Sequence, residues 1–283
     1  MPARERRSTT WQVIVGAEFG FASRLRWWRQ RRGFSQLAFA ERAEVSQRHV
    51  SFLETGRTAP SRDMVLRLAA ALDLPFREQN ALLLAAGFAP AWRERPLGAP
   101  ELALVDRALD HMLLQQEPYP AFVVDRRWNL LRTNAGGRAL VAFLTDSPGW
   151  KPEPGAPVNL ADALIAPIPL RPWLENWSEV AHYFLRSVRA DALADGSQET
   201  AALLARLLAY PDVSALSEIP SISESEEPVV TMRFRKSHVA LDLFTTIATL
   251  GTARDVTVQE IRVECFFPAD PATAEAFRQW AAQ

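Results

Sequence analysis

The chain has almost no cysteine and no long apolar run. Its 283 residues include one cysteine, Cys265. A lone cysteine excludes a disulfide framework and a paired-cysteine metal site, and it is typical of a reducing compartment. No run of ~18 apolar residues is present, so we expect no transmembrane helix. The apolar stretch near the basic N-terminus is short and interrupted by Glu18, which argues against a signal peptide, so we expect a cytoplasmic protein.

The sequence also lacks the short motifs that mark many enzyme active sites. It contains no glycine-rich dinucleotide fingerprint, no phosphate-binding loop, no HExxH and no GxSxG. The 4 histidines are scattered, and none forms a metal-ligand pair. Cys265 lies in a predicted strand among aromatic residues, which is typical of a small core residue. We therefore expect no enzyme activity, no metal site and no permanently bound cofactor.

Charge is distributed unevenly along the chain. Residues 1–90 hold 14 arginines against 8 acidic residues, a net charge of +6. Residues 91–283 hold 18 basic and 25 acidic residues, a net charge of −7. A basic N-terminal unit favours a polyanionic partner, which the acidic remainder does not.

Serine, proline and glycine divide the first ninety residues into short segments. Each helical pattern begins after a serine or proline, and most end at a glycine or proline, the residues that favour helix ends. Five such helices predict a compact all-α domain over residues 18–90. The predicted helices cover residues 18–32, 36–43, 47–56, 62–72 and 76–87.

The remainder of the chain mixes strands and helices. We predict a linker and coupling helix over residues 91–117, and then a domain over residues 118–283 with two strands, several helices, three strands and a final helix. This order predicts an α+β fold with one antiparallel sheet and helices gathered on one side. A phase slip in the last predicted strand indicates a β-bulge near Gln259 and Glu260. The three late strands are predicted at residues 229–236, 238–250 and 255–267.

The stretch that follows Ser46 carries the most specific signal. Val50 and Leu53 are spaced for burial on one side of a short helix, and the polar residues lie on the other side. An exposed face with few charges and many hydrogen-bonding groups suits base edges in the DNA major groove. The wider spacing fits the pattern Q-x3-A-x3-G-V-x4-hydrophobic-x3-E-x-G at every position but one. The matching residues are Gln36, Ala40, Glu44, Val45, Val50, Glu54 and Gly56.

This part of the chain, from about Leu25 to Gly87, closely resembles the XRE family of helix-turn-helix domains. The resemblance implies that Gln36 and Arg57 contact phosphates, and that Glu54 pairs with Arg29 inside the domain. It also implies a homodimer on a pseudo-palindromic operator of double-stranded DNA. The expected DNA-binding residues are Gln36, Ser46, Gln47, Arg48, Ser51, Phe52, Thr55 and Arg57.

Two positions depart from the family pattern. Glu44 stands where the family has a glycine in a left-handed turn, and a residue with a side chain costs about 1 kcal/mol there. Phe52 stands where a polar base reader is common. It is expected either to contact a thymine methyl group or to pack on a neighbouring helix or the second domain.

The C-terminal part, from about residue 100 to 282, resembles the ligand-binding domain of MmyB-like transcription regulators. The resemblance rests on EPYPAFVVDRRWNLLRTN, RPWLENWSEVAHYFLRSVR and LFTTIATLGTARDVTVQEIRVECFFPAD. It implies a PAS-like fold and a small apolar effector such as a fatty acid, held between the sheet and its helices. The expected lining residues are Phe122, Trp128, Leu130, Asn134, Phe143, Asn176, Trp177, Val180, Ala181, His182, Phe184, Phe244, Thr246 and Phe266, with Tyr183 and Ile247 as further candidates. Each could instead be plain core or surface.

Together these observations predict a transcription regulator, in our interpretation a repressor that its effector releases from DNA. Two alternatives stay open. One is a haem or flavin sensor, in which His182 or Cys265 could ligate iron. The other is an antitoxin-like or scaffold protein whose second domain binds a protein partner, for which an exposed apolar patch would be the sign.

Overall fold

The computed structural model describes residues 20–148, 158–216 and 228–282. Five short helices make up the first part, which confirms the predicted all-α unit. They are α1 (Phe21–Arg31), α2 (Gln36–Arg42), α3 (Gln47–Glu54), α4 (Arg62–Ala71) and α5 (Phe76–Ala85). Residues 18 and 19 of the predicted first helix lie outside the described residues.

Serine side chains begin three of these helices, as the sequence predicts. Each of Ser35, Ser46 and Ser61 accepts a hydrogen bond from the backbone N–H three residues further on, at 3.1 to 3.2 Å. Such a cap satisfies one of the free N–H groups of the first turn and stabilises a helix by about 1 kcal/mol. The helices enclose one core, whose fully buried members include Leu25, Trp28, Phe39, Val50, Leu53, Leu68 and Leu82.

The second part is built around a five-stranded antiparallel sheet with the order β2-β1-β5-β4-β3. The strands are β1 (Ala121–Val124), β2 (Leu130–Thr133), β3 (Met232–Lys236), β4 (Val239–Thr249) and β5 (Arg262–Pro268). The helices are α6 (Ala103–Gln115), α7 (Ala135–Thr145), α8 (Leu160–Ile165), α9 (Trp177–Asp195), α10 (Gln198–Leu208), α11 (Val213–Leu216), α12 (Val256–Glu260) and α13 (Pro271–Ala281).

The two faces of the sheet are covered unequally, because most helices lie on one side, as predicted. The buried residues of that inner face and of α7 to α11 and α13 form one contiguous group, which we call the main apolar cluster. The outer face is covered by α6, where Leu109 and Leu113 pack against Val123 and Val263. Alternation along each strand therefore decides which side chains can meet in the main apolar cluster.

The strand predicted at residues 255–267 is wrong in its first half. Residues 256–260 form the helical turn α12, and Asp255 caps it by accepting a hydrogen bond from the Thr257 backbone N–H at 3.0 Å. The phase slip thus marks a helix-to-strand change, because one helical turn also reverses which side chains face inward. Val256 and Val258 are buried, as their apolar character predicts, but they belong to a helical turn and not to a strand.

Candidate functional site

Helix α3 presents a polar face to the outside. Val50 and Leu53 are fully buried, as their spacing predicts. Gln47, Arg48 and Thr55 are exposed on the same helix, and Arg57 is exposed just beyond it. The partly buried Ser51 and Phe52 lie between them. The predicted division into a buried and an exposed side of this helix is therefore present.

Phe52 lies between two arginines at the surface. The guanidinium carbon of Arg48 is 5.1 Å from the centre of the Phe52 ring, and that of Arg57 is 5.8 Å away. Phe52 is not among the partly buried residues that pack on the core of the helical unit. Cation–π contacts of this kind contribute about 0.5–1 kcal/mol at exposed sites. The ring thus holds two cationic side chains side by side next to the helix.

A buried ion pair fixes the first and third helices. Arg29 donates two hydrogen bonds to the Glu54 carboxylate, at 2.6 and 2.9 Å, as the family resemblance implies. Gln36 also donates to this carboxylate, at 2.8 Å, so one of its amide hydrogens is engaged inside the domain.

Glu44 adopts the left-handed conformation with φ of 54°, as predicted for the turn between α2 and α3. Besides Gln36, two further expected DNA contacts have internal hydrogen bonds: Ser46 caps α3, and the Thr55 hydroxyl donates to the Ser51 carbonyl at 2.7 Å.

The main apolar cluster brings together most of the predicted effector-binding residues. Two aromatic contacts lie within it, with ring centres 4.4 Å apart for Trp128 and Phe184 and 5.5 Å apart for Phe122 and Phe266. The predicted residues buried in it are Phe122, Trp128, Leu130, Val180, Ala181, Phe184 and Phe266, with Phe143 and Trp177 partly buried against it.

The polar candidates are used mainly by the fold. The Asn134 side chain caps α7 by accepting from the Gly137 N–H at 2.8 Å, and its amide donates to the Tyr119 carbonyl at 2.8 Å. The Asn176 side chain joins α9 to β3, since it donates to the Thr231 carbonyl at 2.7 Å and accepts from the Arg233 N–H at 3.0 Å. Both amides therefore hold backbone in place.

Other candidates lie away from the cluster. Phe244 and Thr246 point to the outer face of the sheet, because Leu241 and Leu243 of the same strand supply the inner face. The Phe244 ring stacks on Phe267 at 5.5 Å. Cys265 is also on the outer side, whereas the His182 imidazole lies 3.4 Å from the Leu216 carbonyl. The two residues proposed as alternative iron ligands thus lie at different sites. Nor does any group of three or more potential metal ligands occur within residues 20–148, 158–216 and 228–282.

Two family models match the chain. One, described as the MmyB-like transcription regulator ligand binding domain, matches residues 105–279. The chain belongs to the MmyB-like transcription regulator family. The second model, described as helix-turn-helix, matches residues 25–79. No curated protein matches the chain. The two matches make this MmyB-like protein a DNA-binding transcription regulator that responds to a ligand. No helix of the described ranges is both long and apolar enough to span a bilayer.

The DNA-binding and ligand-binding parts of this MmyB-like regulator meet at the end of α9. Arg31 donates to the carbonyls of Ala192 and Leu193, at 2.6 and 3.0 Å, and Arg32 donates to the Ala194 carbonyl at 2.9 Å. The last carbonyls of a helix have no partner within it and carry partial negative charge. Two arginines of α1 thus bind the C-terminus of a helix from the other domain.

Buried charges extend this junction. Arg126 of the β1–β2 turn binds Asp195 at 3.0 Å and lies 3.4 Å from Glu260 of α12. From the helical domain, Arg77 binds Glu260 at 2.8 Å. Glu78 lies 3.7 Å from Arg24, and burial raises the pKa of Glu78 to about 7 although Arg24 and Arg126 oppose this.

Sequence reasoning did not find these junction residues. Their partners lie far away along the chain, 162 positions in the case of Arg31 and Leu193. It also missed Glu264, a buried acid on β5. The signal for Glu264 was visible, because an acid that interrupts an otherwise apolar strand is unusual in a core. No comparable signal marked Arg31, since arginine is ordinary near the C-terminus of a helix.

Proposed function

We propose that this protein is a cytoplasmic repressor that binds a pseudo-palindromic operator as a twofold-symmetric dimer and is released by a small apolar effector, of which a fatty acid is one example. The observation that carries the DNA-binding role is the outward face of α3, where Phe52 supports Arg48 and Arg57. Arginine reads guanine bidentately, glutamine reads adenine, and an apolar group can contact the thymine methyl.

Each side chain on this face has a proposed task. Arg48, Gln47, Ser51 and Phe52 contact base edges or the adjoining backbone. Arg57 and Gln36 contact phosphates, and the Gln36 amide is oriented for this by its hydrogen bond to Glu54. Ser46 and Thr55 support the surface at either end of the helix through their internal hydrogen bonds. In a symmetric dimer the two reading helices would lie about one DNA turn apart.

Helix α9 supports the proposed coupling between effector and operator. Its first half contributes Val180 and Phe184 to the main apolar cluster, and its last carbonyls receive Arg31 from α1. A ligand that displaces α9 must therefore change the contacts of the DNA-binding domain. It regulates DNA binding only if it prefers one arrangement of α9 over the other.

The segment 91–117 supports a second route between the domains. The Trp92 ring stacks on Phe76 of α5 with ring centres 3.8 Å apart. Arg95 binds Asp255, the cap of α12, at 2.8 Å. In this proposal the DNA-binding domain extends over residues 18–90 and the effector domain over residues 118–283, and the segment 91–117 connects them.

Selection of binding sites from random duplex DNA by the purified full-length protein tests the proposal. The expected product is an inverted repeat bound by two chains, with an affinity that falls steeply as salt rises. Native mass spectrometry of the same protein reports the dimer mass and any retained small molecule. A log–log salt slope near zero, or selected sites with no repeat symmetry, would contradict the proposal. Addition of the recovered molecule should weaken operator binding.

A further inference from the structure

Strand β5 carries a carboxyl group on the inner face of the sheet. Glu264 is only 7% exposed and lies opposite Phe122 of β1 and Ile247 of β4 in the strand register. Residues that lie opposite each other in antiparallel strands point to the same side. Phe122 and Phe266 belong to the main apolar cluster, so Glu264 faces that cluster too.

The surroundings of Glu264 provide little compensation for its burial. The Thr245 hydroxyl is its hydrogen-bonding neighbour on β4, and Arg262, two residues away, is the charge that acts on it. Arg262 is itself engaged by Asp191 of α9 through two hydrogen bonds of 2.6 Å. Burial therefore prevails and raises the pKa of Glu264 to about 7. A buried acid with a displaced pKa inside an apolar site is a candidate functional group.

A second polar group on the same side lacks a partner. Trp128 is 2% exposed, and its indole N–H has no hydrogen-bond acceptor among the described residues. The centre of the indole ring is 6.0 Å from the Arg262 guanidinium carbon, and Glu264 is the next residue of β5 on that face. Buried N–H groups without acceptors are rare in folded proteins, and each one calls for an explanation.

This side of the sheet is accessible near the end of β4. Ile247 is 48% exposed although Leu243, on the same face of the same strand, is fully buried. Among the described residues, the helices of the inner face thus leave the second half of β4 partly uncovered. An apolar side chain at an opening, followed by a buried carboxyl and an indole N–H, matches the usual composition of a small-molecule site.

We propose that the Glu264 carboxylate and the Trp128 indole N–H are the polar anchors of the effector site, and that the effector is an apolar molecule with a hydroxyl group. This inference rests on the proposed function, keeps its apolar effector, and replaces the fatty-acid example with an uncharged molecule that carries a hydroxyl group. A hydroxyl can donate to the carboxylate and accept from the indole, whereas a carboxylate only accepts and an ammonium only donates. A second carboxylate beside Glu264 is also repelled, and an ammonium must lose its hydration.

The test compares decan-1-ol, decanoate and decylamine as ligands of the full-length protein at pH 8, by isothermal titration calorimetry. We expect decan-1-ol to bind at least ~10-fold more tightly than the two charged probes, because a hydrogen bond to a charged group stabilises by roughly 1.5–3 kcal/mol. Glu264→Leu should remove this preference, and Glu264→Gln should retain part of it. Cys265→Ala, which changes the adjacent residue on the outer face, is the matched control and should keep it.

Two further measurements keep the inference testable if Glu264→Leu does not fold. Trp128→Phe removes the N–H but keeps a ring, and decan-1-ol should bind it several-fold more weakly, with little change for decylamine, which cannot accept a hydrogen bond from the indole. Decanoate should bind the wild type more tightly at pH 6 than at pH 8, because a protonated Glu264 can donate to it. The charged neighbours on this side are already engaged: Arg262 pairs with Asp191 and also interacts with the charges of Asp195 and Asp125, and Lys236 of β3 pairs with Asp146.

The outcomes separate a failure of the hydroxyl inference from a failure of the proposed apolar effector. If decanoate binds the wild type at pH 8 as tightly as decan-1-ol, or if Glu264→Leu keeps the preference for the alcohol, the hydroxyl inference fails but an apolar effector remains. If none of the three probes binds the wild type, the inference fails together with the apolar effector. Operator binding measured in parallel shows whether the DNA-binding role survives independently.

Discussion

Two faces of the same small helical domain are rich in arginine, yet their arginines have different surroundings. On the face formed by α3, Arg48 and Arg57 are exposed and contact a phenyl ring. On the face formed by α1, Arg31 and Arg32 donate to backbone carbonyls at the end of α9. An arginine whose N–H groups already have acceptors contributes to assembly, whereas an exposed one remains able to bind phosphate or guanine. The count of basic residues does not separate these two roles.

The contact between α1 and the end of α9 should show the largest effect of a substitution on stability. Gly196 ends α9 with φ of 60°, and a Cβ there would lie 2.6 Å from Trp28 and 2.7 Å from Trp27. Gly196→Ala should therefore lower the free energy of unfolding by about 2–4 kcal/mol, from left-handed strain and overpacking together. Urea denaturation measures this. Gly251→Ala is the control, because a Cβ at Gly251 meets no atom within 4 Å. Equal stability of the two variants would show that the close packing of Trp27 and Trp28 on Gly196 does not contribute to stability.

Glu78 makes the junction sensitive to pH. Burial raises its pKa from an ordinary 4.5 to about 7, and the negative charges of Asp195 and Glu199 act in the same direction. The folded protein thus keeps a proton that the unfolded chain has lost, so stability should fall as pH rises from about 4.5 to 7. Glu78→Gln removes the buried ionisable group and should be more stable than the wild type above pH 7, by on the order of 3 kcal/mol at most.

Unfolding free energies of wild type and Glu78→Gln, measured in urea between pH 4.5 and 8, provide the test. The two curves should nearly coincide at the acid end and separate as pH rises. Glu264 has a raised pKa in the same window, so the variant should keep part of the slope. Parallel curves over the whole range would mean that Glu78 is not the group responsible.

A substitution on the outward face of α3 should change the affinity for the operator and leave the stability of the protein almost unchanged. Arg48→Ala should weaken operator binding by about 1–3 kcal/mol, roughly 5- to 150-fold, while its unfolding free energy changes by less than about 0.5 kcal/mol. Fluorescence anisotropy with the selected operator measures the first quantity. Arg186→Ala is a matched control, because Arg186 also lies over an aromatic ring, that of Tyr183 at 5.6 Å, but on the effector domain. Similar affinity losses in both variants would contradict a specific role for Arg48.

The contrast between the faces also explains which features could be predicted from the sequence. The α3 face follows from local signals, a serine cap and a 3.6-residue period, whereas the left-handed turn at Glu44 follows from the family resemblance; both Glu44 and Phe52 lie where these predict. The fold of the second domain follows from strand alternation and family resemblance. Its only wrong strand was the one in which Asp255 caps a helical turn.

The lining of the effector site could be predicted only in part. Composition finds aromatic residues but does not tell which face of a strand they occupy, and so Phe244 and Phe122 were equal candidates until the register separated them. The junction could not be predicted, because the acceptors of Arg31 are backbone carbonyls. Any residue can supply a carbonyl, so no sequence pattern marks these positions.

Phe52 is the residue that should distinguish reading of bases from simple support of the arginines. Phe52→Ala removes both the apolar contact and the ring beneath Arg48 and Arg57, and we expect operator affinity to fall by about 1 kcal/mol, some fivefold. Phe52→Leu keeps an apolar group and should recover part of the loss. Competition among operators with single base-pair changes separates the two roles. Loss confined to sites with one particular T·A pair supports contact with a thymine methyl, whereas equal loss on all sites leaves only the support of Arg48 and Arg57.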